Sequence, residues 1–202
     1  ESVIAADGRS LEGHITSNEW APGREIFFAV DCGGQPVRFV RLKPGHRYAV
    51  RWNSSATLTN LLVKVALSTV SMESARESLC RGELDGWNFE STRGDARAEW
   101  NRLLGRIEFD AAPSVKTNLY TALYHLFIQP NLISDLHGAY RGGDGKVARS
   151  RLGYYSTFST WDTYRAAHPF YTLLTPERVP GFVDSMIRHQ QATGVLPVWT
   201  LG

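Results

Sequence analysis

The sequence predicts a protein of two parts, in which β-strands come first and α-helices follow. Short apolar runs separated by turn residues fill residues 11–70, a pattern typical of an antiparallel sandwich or barrel. After residue 70 the apolar residues recur at helical spacing. A third feature is the stretch of residues 154–169, which combines five aromatic rings with a carboxylate, a guanidinium and an imidazole. We expect the functional site to lie in this stretch.

The composition excludes several classes of function. The 202 residues carry 22 basic and 20 acidic side chains, which give a net charge of +2. A charge this close to zero does not indicate binding to nucleic acid or to a membrane surface. No stretch approaches the roughly 20 consecutive apolar residues that a membrane helix needs. Cys32 and Cys80 are too few for a disulfide framework and lack the spacing of a metal site, so they are either free or joined in one bridge.

Runs of β-branched and aromatic residues predict the strands. The run V-R-F-V-R-L alternates apolar side chains with arginine at the period of a half-buried strand. The predicted strands are residues 25–30, 37–42, 48–52 and 61–70. Turn residues separate them at 32–36 and 43–46. Four or five strands make only part of a sandwich or barrel.

Helical periodicity begins after residue 70. The predicted helices are residues 71–79, 95–107, 113–127 and 182–193. The residues predicted to face inward in the last three are Ala96, Trp100, Leu103, Leu104 and Ile107, then Val115, Leu119, Ala122, Leu123 and Leu126, then Phe182, Met186 and Ile187. Paired helices of this kind suit an α/α toroid, and a plain helical bundle fits equally well.

Residues 131–153 are predicted to be a long polar loop with five glycines. The loop carries Asp135, His137, Tyr140, Arg141 and Asp144. A loop of this length is uncommon unless it is functional or disordered. It leads directly into residues 154–169.

Residues 160–174 are predicted to form a helix that passes or bends at Pro169. A hydroxyl at Ser159 or Thr160 would cap its start. Trp161, Arg165 and His168 would then lie on one stripe of the helix.

Asp162 falls in the first turn of this predicted helix, where the free N–H groups favour a negative charge. It lies three residues before Arg165, within reach of an ion pair. A carboxylate, a guanidinium and the indole of Trp161 together suit a sugar, which stacks on aromatic rings and offers hydroxyls to charged groups. The alternative is that Asp162 caps its own helix and that the aromatic residues are core.

Seven blocks of sequence resemble one family of enzymes. They are V-R-F-V-R-L-K-P-G-H-R-Y-A-V-R from residue 37, L-S-T-V-S-M-E-S-A-R-E-S-L from 67, W-N-R-L-L from 100, Y-T-A-L-Y-H from 120, S-D-L-H-G-A-Y-R-G from 134, and finally Y-S-T-F-S-T-W-D-T-Y-R-A-A-H-P from 155 with G-V-L-P-V-W from 194. In this order they resemble glycoside hydrolase family 92, which comprises calcium-dependent exo-acting α-mannosidases. Thr160 departs from the leucine usual in the family, and we expect no consequence.

The resemblance implies a multidomain β plus α fold. It assigns residues 1–70 to the last strands of an N-terminal β-sandwich, 71–110 to a helical linker and 111–202 to the start of an (α/α)6 catalytic barrel. The family's proteins are several times longer, so the resemblance also implies a central fragment. An extracytoplasmic location follows from the family's glycan substrates alone.

The resemblance further implies which residues bind the sugar. Asp162 matches the carboxylate that grips hydroxyls of the terminal mannose, and Trp199 matches an aromatic wall of the same pocket. Arg165 and Trp161 complete the set of expected substrate-binding residues. Arg165 would orient Asp162 or form a structural ion pair instead, and Trp161, like His168, would otherwise pack beside the site. The resemblance places the catalytic acid and base beyond Gly202.

No convincing acid and base pair stands within residues 1–202, where Asp135 and Asp144 are the alternatives to Asp162. No acidic cluster suits calcium either, so we assign no metal ligand. The expected function is part of an inverting exo-α-mannosidase that acts on mannose-containing glycans, with α-1,2 linkages expected. The alternatives are a non-catalytic carbohydrate-binding or structural piece and an (α/α)6 hydrolase of another specificity.

Overall fold

The structure is a computed structural model that describes residues 2–4, 8–18, 21–35, 37–42, 47–52, 60–81 and 86–200. The chain forms two compact units. The sheet unit comprises Glu1–Trp87 together with Asp135–Ala139, and the helical unit comprises Asn88–Ser134 and Tyr140–Gly202. The mixed β plus α fold that the sequence predicted is therefore confirmed.

Within the described residues, the sheet unit contains six strands and one helix. Its strands are β1 (Ser2–Ile4), β2 (Ser10–Thr16), β3 (Glu25–Asp31), β4 (Val37–Leu42), β5 (Arg47–Trp52) and β6 (Lys64–Ser68), and its helix is α1 (Met72–Arg81). The strand at Val37–Leu42 has the predicted bounds, whereas β6 is shorter than predicted at both ends. The predicted turn at residues 43–46 lies outside the described residues.

Four strands form one antiparallel sheet in the order β1-β2-β3-β6, and β4 and β5 form a separate antiparallel ribbon. The pairs Leu11↔Val30 and Phe39↔Val50 set the registers of the sheet and the ribbon. An apolar core of buried Leu11, Cys32, Val37 and Phe39 joins side chains from both layers. Because successive residues of a strand point to opposite faces, each layer contributes one apolar face to this core.

Helix α1 packs on β3 and β6, where Ala29 and Ala75 are buried. The Ser71 hydroxyl caps the helix by accepting the backbone N–H of Ser74 at 3.1 Å. Arg76 donates to both carboxylate oxygens of Glu12 at 2.6 and 2.5 Å, so an ion pair ties the helix to β2. Because Arg76 hydrogen-bonds the ionised carboxylate, the pKa of Glu12 is lowered.

The helical unit contains five helices and four short strands. The helices are α2 (Phe89–Leu104), α3 (Pro113–Phe127), α4 (Thr160–Thr163), α5 (Ala167–Leu174) and α6 (Val179–Thr193). The strands, of which β8 straddles the boundary between the units, are β7 (Asn131–Leu132), β8 (Ala139–Arg141), β9 (Val147–Arg149) and β10 (Tyr155–Ser156). Among the described residues, no helix is long and apolar enough to cross a membrane.

The core of the helical unit joins most of its helices. Its buried members are Leu103, Leu123, Phe127, Phe158, Tyr171 and Phe182. Leu103 and Leu123 confirm the predicted inward faces of α2 and α3. The prediction was wrong for Ala96, Val115, Ala122 and Ile187, which are exposed.

Two helices begin earlier than predicted. Helix α2 begins at Phe89 because the Asn88 side chain caps it, accepting the backbone N–H of Ser91 at 3.1 Å. Helix α6 begins at Val179 and includes Pro180 in its first turn, where the missing N–H of proline has no cost.

The structure contradicts the prediction of an unstructured loop over residues 131–153. Strands β8 and β9 form an antiparallel hairpin, and β7 pairs with β10. Tyr140 lies buried in the hairpin and stacks on buried Tyr154, with ring centroids 3.7 Å apart. Asp184 on α6 accepts from the Ser150 hydroxyl at 2.9 Å, which fixes the chain after β9. The glycines therefore serve turns inside an ordered structure.

The two cysteines are not bonded to each other. Cys32 is buried in the sheet-unit core and Cys80 is exposed on α1. Burial raises the pKa of the Cys32 thiol, which keeps it protonated. Of the two sequence alternatives, the free thiols are the ones observed.

Candidate functional site

The stretch of residues 154–169 begins inside the core of the helical unit and ends at its surface. Tyr154, Ser156 and Phe158 are buried. The ring of Phe158 meets Phe182 at 6.3 Å between centroids and stacks on His168 at 6.2 Å. The chain then emerges, so that Trp161 is 71% exposed and Asp162 is exposed beside it.

The single helix predicted over residues 160–174 is interrupted. Helix α4 ends at Thr163, and α5 begins at Ala167 after a turn through residues 164–166. In a continuous helix Pro169 would leave the carbonyl of Arg165 without a donor, and its ring would clash with that carbonyl. The helix therefore breaks one turn before Pro169, and not at the proline itself.

The interruption separates the three side chains that were predicted to share one stripe. Trp161 lies on α4, Arg165 lies in the turn, and His168 lies on α5. His168 is half-buried between Phe158 and Tyr171, and burial lowers its pKa. A neutral, packed imidazole agrees with the expected packing role of His168.

The Asp162 carboxylate is held by the residue that precedes the helix. The Ser159 hydroxyl donates to Asp162 Oδ2 at 2.6 Å, and the Asp162 backbone N–H donates to the Ser159 carbonyl at 3.0 Å. Neither Ser159 nor Thr160 caps the helix as predicted, because the Thr160 hydroxyl donates to the Pro197 carbonyl at 2.8 Å. The carboxylate is thus fixed while remaining open to solvent.

Arg165 does not pair with Asp162 in the part of the chain that the structure describes. Its guanidinium lies over the ring of Tyr164, 5.1 Å from the centroid. The predicted ion pair is therefore wrong, because Arg165 lies in the turn and not on the helix that carries Asp162. Orientation of Asp162 falls to Ser159 instead.

Trp199 lies directly across from the start of this site. Residues 158–160 pair antiparallel with residues 198–200, and Ser159 and Trp199 form the central bridge. The bonds are Thr160 N–H to the Val198 carbonyl and Thr200 N–H to the Phe158 carbonyl, both 3.0 Å. Trp199 is 63% exposed. Ser159 and Trp199 are 40 residues apart in sequence. Their pairing therefore places the exposed indole of Trp199 next to the segment that holds Asp162.

The other acidic residues considered from the sequence lie elsewhere. Asp135 belongs to the sheet unit, where its Oδ2 accepts from the Ser68 hydroxyl at 2.7 Å and burial raises its pKa. Asp144 accepts the backbone N–H of Lys146 at 3.1 Å, and that hydrogen bond lowers its pKa. Both carboxylates are engaged in local structure.

The other residues singled out in the preceding loop have partners as well. Tyr140 is buried. His137 meets Glu77 of α1 at 3.0 Å, and Arg141 donates to the Gly145 carbonyl at 2.9 Å.

A groove of about 440 Å³ opens beside α5 and α6. Its lining is largely apolar and comprises Thr160, Tyr164, His168, Pro169, Tyr171, Thr172, Val179, Phe182, Val183 and Met186. Neither Asp162 nor Trp199 lines it. A sugar needs charged or amide groups that grip its hydroxyls, so the groove does not suit one.

Among the described residues, no group of three or more His, Cys, Asp or Glu side chains could hold a metal ion. Calcium needs 6–8 oxygen ligands. The described side chains therefore do not fit a calcium ion.

Comparison with known proteins identifies the family. The model of the glycosyl hydrolase family 92 catalytic domain matches residues 74–202, which is more than half of the chain. The chain belongs to glycosyl hydrolase family 92. This confirms the resemblance drawn from the seven sequence blocks. No curated protein matches the chain.

Solved structures of family 92 enzymes have the same fold over this chain. The GH92 α-mannosidase BT3965 from Bacteroides thetaiotaomicron is 26% identical, with a TM-score of 0.81 over 98% of this chain and 30% of its own. The GH92 glycosyl hydrolase ccman5 is 25% identical, with a TM-score of 0.73 over 96% of this chain and 28% of its own. The chain thus spans less than a third of the length of these relatives.

A third structure supports the fold alone. The inverting mannosidase BT2199 from Bacteroides thetaiotaomicron VPI-5482 is 22% identical, with a TM-score of 0.76. It covers 98% of this chain and 29% of its own length. BT3965 has also been solved in complex with mannoimidazole.

Proposed function

We propose that this chain is part of an inverting exo-α-mannosidase that removes α-linked mannose from glycans, with α-1,2 linkages preferred. The observation that carries the proposal is an exposed carboxylate, Asp162, fixed by Ser159 opposite the open indole of Trp199 in a family 92 member. The mannoimidazole complex of BT3965 supports mannose as the sugar.

In this proposal Asp162 is a binding residue. Its free carboxylate oxygens accept hydrogen bonds from hydroxyls of the terminal mannose, and bonds to an ionised acceptor are short and strong. The Trp199 ring covers an apolar C–H face of the same sugar. Trp161 precedes Asp162 on α4, and its indole is exposed.

The proton transfers belong to other groups. Inversion needs an acid on the leaving oxygen and a base on a water at the opposite face, with carboxyl groups about 6.5–9.5 Å apart. Asp135 and Asp144 are engaged in local structure, so neither serves as a partner for Asp162. We therefore assign the acid and the base to parts of the enzyme outside residues 1–202.

The direct test is mannose release by the complete gene product from α-1,2-, α-1,3- and α-1,6-mannobiose. Proton NMR of the first product distinguishes inversion, which gives β-mannose, from retention, which gives α-mannose. We expect β-mannose, released fastest from the α-1,2 disaccharide. Release of α-mannose would contradict inversion, and binding without release would favour the carbohydrate-binding alternative.

We also propose calcium as the cofactor, with ligands outside this chain, on the strength of the family resemblance. When bound, the ion supplies Lewis-acid and template chemistry. Treatment of the complete gene product with a chelator is expected to abolish mannose release, and calcium is expected to restore it better than magnesium. Activity that survives chelation would contradict this cofactor.

An extracytoplasmic location stays a prediction that rests on the glycan substrate.

A further inference from the structure

Thr157 adopts a backbone conformation that its side chain disfavours. Its φ is +60°, and among the described residues it is the one non-glycine residue with a positive φ. Threonine is branched at Cβ, and for such residues the left-handed region is a genuine outlier. Thr157 lies between β10 and the Ser159 that fixes Asp162.

A second unfavourable feature lies next to it. Ser156 is 2% exposed, and its hydroxyl has no hydrogen-bond partner among the residues that the structure describes. A buried hydroxyl without a partner costs stability, as does a strained backbone. Two such costs in adjacent residues persist where the surrounding structure imposes them, and such residues cluster at functional sites.

The Asn131 side chain holds the Thr157 side chain by a hydrogen bond. Thr157 Oγ1 donates to Asn131 Oδ1 at 2.5 Å, and Asn131 Nδ2 donates to the Ile128 carbonyl at 3.0 Å. The two bonds use opposite ends of one amide, so they also fix which end faces Thr157. Because Ile128 directly follows α3, the amide ties Thr157 to the end of that helix.

Thr157 is the residue at which the chain changes partners. Ser156 pairs with Asn131 on one side of it, and Phe158 exchanges hydrogen bonds with Thr200 on the other. The left-handed residue turns the chain from the first pairing to the second. The direction in which residues 158–162 leave the core depends on that turn.

We propose that Thr157 and Asn131 are positioning residues, which hold the strained turn that places the Asp162 carboxylate for sugar binding. The inference rests on the proposed function, because it gives these residues a role in the site that Asp162 forms. Neither residue is assigned contact with the sugar.

The test is a double-mutant cycle of Thr157→Gly and Asp162→Asn in the complete gene product, with α-1,2-mannobiose as the substrate. Glycine adopts positive φ freely, so relief of strain offsets the greater freedom of the unfolded chain and the variant folds. We expect Thr157→Gly to lower kcat/KM by about tenfold to a hundredfold, since small misplacements of binding groups cost that much. In the Asp162→Asn background the same change is expected to cost less than about threefold, because the two residues act as one unit.

The conservative variant Thr157→Ser keeps the hydroxyl donor and is expected to retain nearly full activity. If Asp162→Asn lowers activity but Thr157→Gly does not, the positioning role is overturned and the proposed role of Asp162 stands. The same holds if Thr157→Gly causes equal losses in the wild-type enzyme and in the Asp162→Asn variant. Wild-type activity of Asp162→Asn would remove the proposed role of Asp162 and this inference with it.

A crystal structure of Thr157→Gly decides the matter without activity. We expect the Asp162 carboxylate to be displaced by about 1 Å or more, the scale of misplacement that impairs a site. An unmoved carboxylate would overturn the positioning role.

Discussion

Asp162 is fixed by a neighbour in sequence and presented by a partner far along the chain. The Ser159 hydroxyl contacts its carboxylate at 2.6 Å, and the Ser159 backbone pairs with Trp199. The carboxylate is held in one orientation and is still exposed to solvent, as suits a group that binds a ligand in one orientation. The site therefore depends on Ser159 as much as on Asp162.

Replacement of Ser159 by alanine is expected to raise KM for α-1,2-mannobiose by about tenfold. Loss of one hydrogen bond to a charged group costs about 1.5–3 kcal/mol, and the lower end of that range corresponds to about a tenfold change. The reason is that Asp162 then occupies several orientations. The matched control is Thr172→Ala, which removes a hydroxyl that donates to the Pro169 carbonyl on α5. If both variants behave alike, Ser159 has no special role.

The two indoles of the site are distinguished by substitution. Trp199→Ala is expected to raise KM about tenfold, because a tenfold change corresponds to about 1.4 kcal/mol and aromatic contacts are of that size. Trp161→Ala is expected to change KM less, since the proposal assigns the wall of the sugar pocket to Trp199. A larger effect at Trp161 would exchange the roles of the two residues.

At the scale of elements, the sequence predicted those helices and strands whose signals are local. The bounds of α3 follow from Pro113 at its start, and β4 follows from the alternation of V-R-F-V-R-L. The break between α4 and α5 was misplaced by one turn, because Pro169 acts on the carbonyl four residues before it.

Long-range pairing accounts for the other errors. The hairpin of β8 and β9 depends on the stack of Tyr140 and Tyr154 and on α6, which no local pattern in residues 131–153 reveals. The bridge from Ser159 to Trp199 is likewise invisible to periodicity. Asp162 was indicated by the side chains of residues 154–169 and by the family motif, whereas Trp199 was indicated by the family motif alone; their role in binding stays a prediction.

Asp135 gives the sheet unit a pH-dependent contact. Burial raises the pKa of Asp135, so this group contributes stability below the ordinary aspartate value of about 3.9 and loses it as pH rises through the folded pKa. The side chain of the Asp135→Asn variant stays neutral at every pH. We therefore expect the melting temperature of the variant to rise relative to that of the wild type as pH increases from acid to neutral. The measurement is the melting temperature of the complete gene product between those limits.

Asp144→Asn is the control of opposite sign. The Lys146 backbone N–H lowers the pKa of Asp144, so its contribution is present at neutral pH and is lost as pH falls. This variant is expected to fall below wild type at neutral pH and to approach it in acid. Slopes of the same sign for both variants would contradict the account of Asp135.

At the scale of the whole molecule, the chain is a sheet unit and a helical unit, each with its own apolar core. The residues proposed to bind the sugar lie on the helical unit, at the point where residues 158–160 meet residues 198–200. The chain spans 30% of BT3965, so the bond-breaking groups and the metal ligands are assigned outside it as proposals. What the chain itself supplies is the fixed carboxylate and the open indole.

The most direct test of that role is mannose release from α-1,2-mannobiose by the complete gene product with Asp162→Ala. We predict a loss of about a hundredfold or more in kcat/KM, because in the proposed function the carboxylate hydrogen-bonds the sugar in the transition state. The circular dichroism spectrum and melting temperature are expected to stay close to wild type, since the side chain is exposed. Unchanged turnover would contradict the account and leave Asp162 as a residue that only stabilises the start of its own helix.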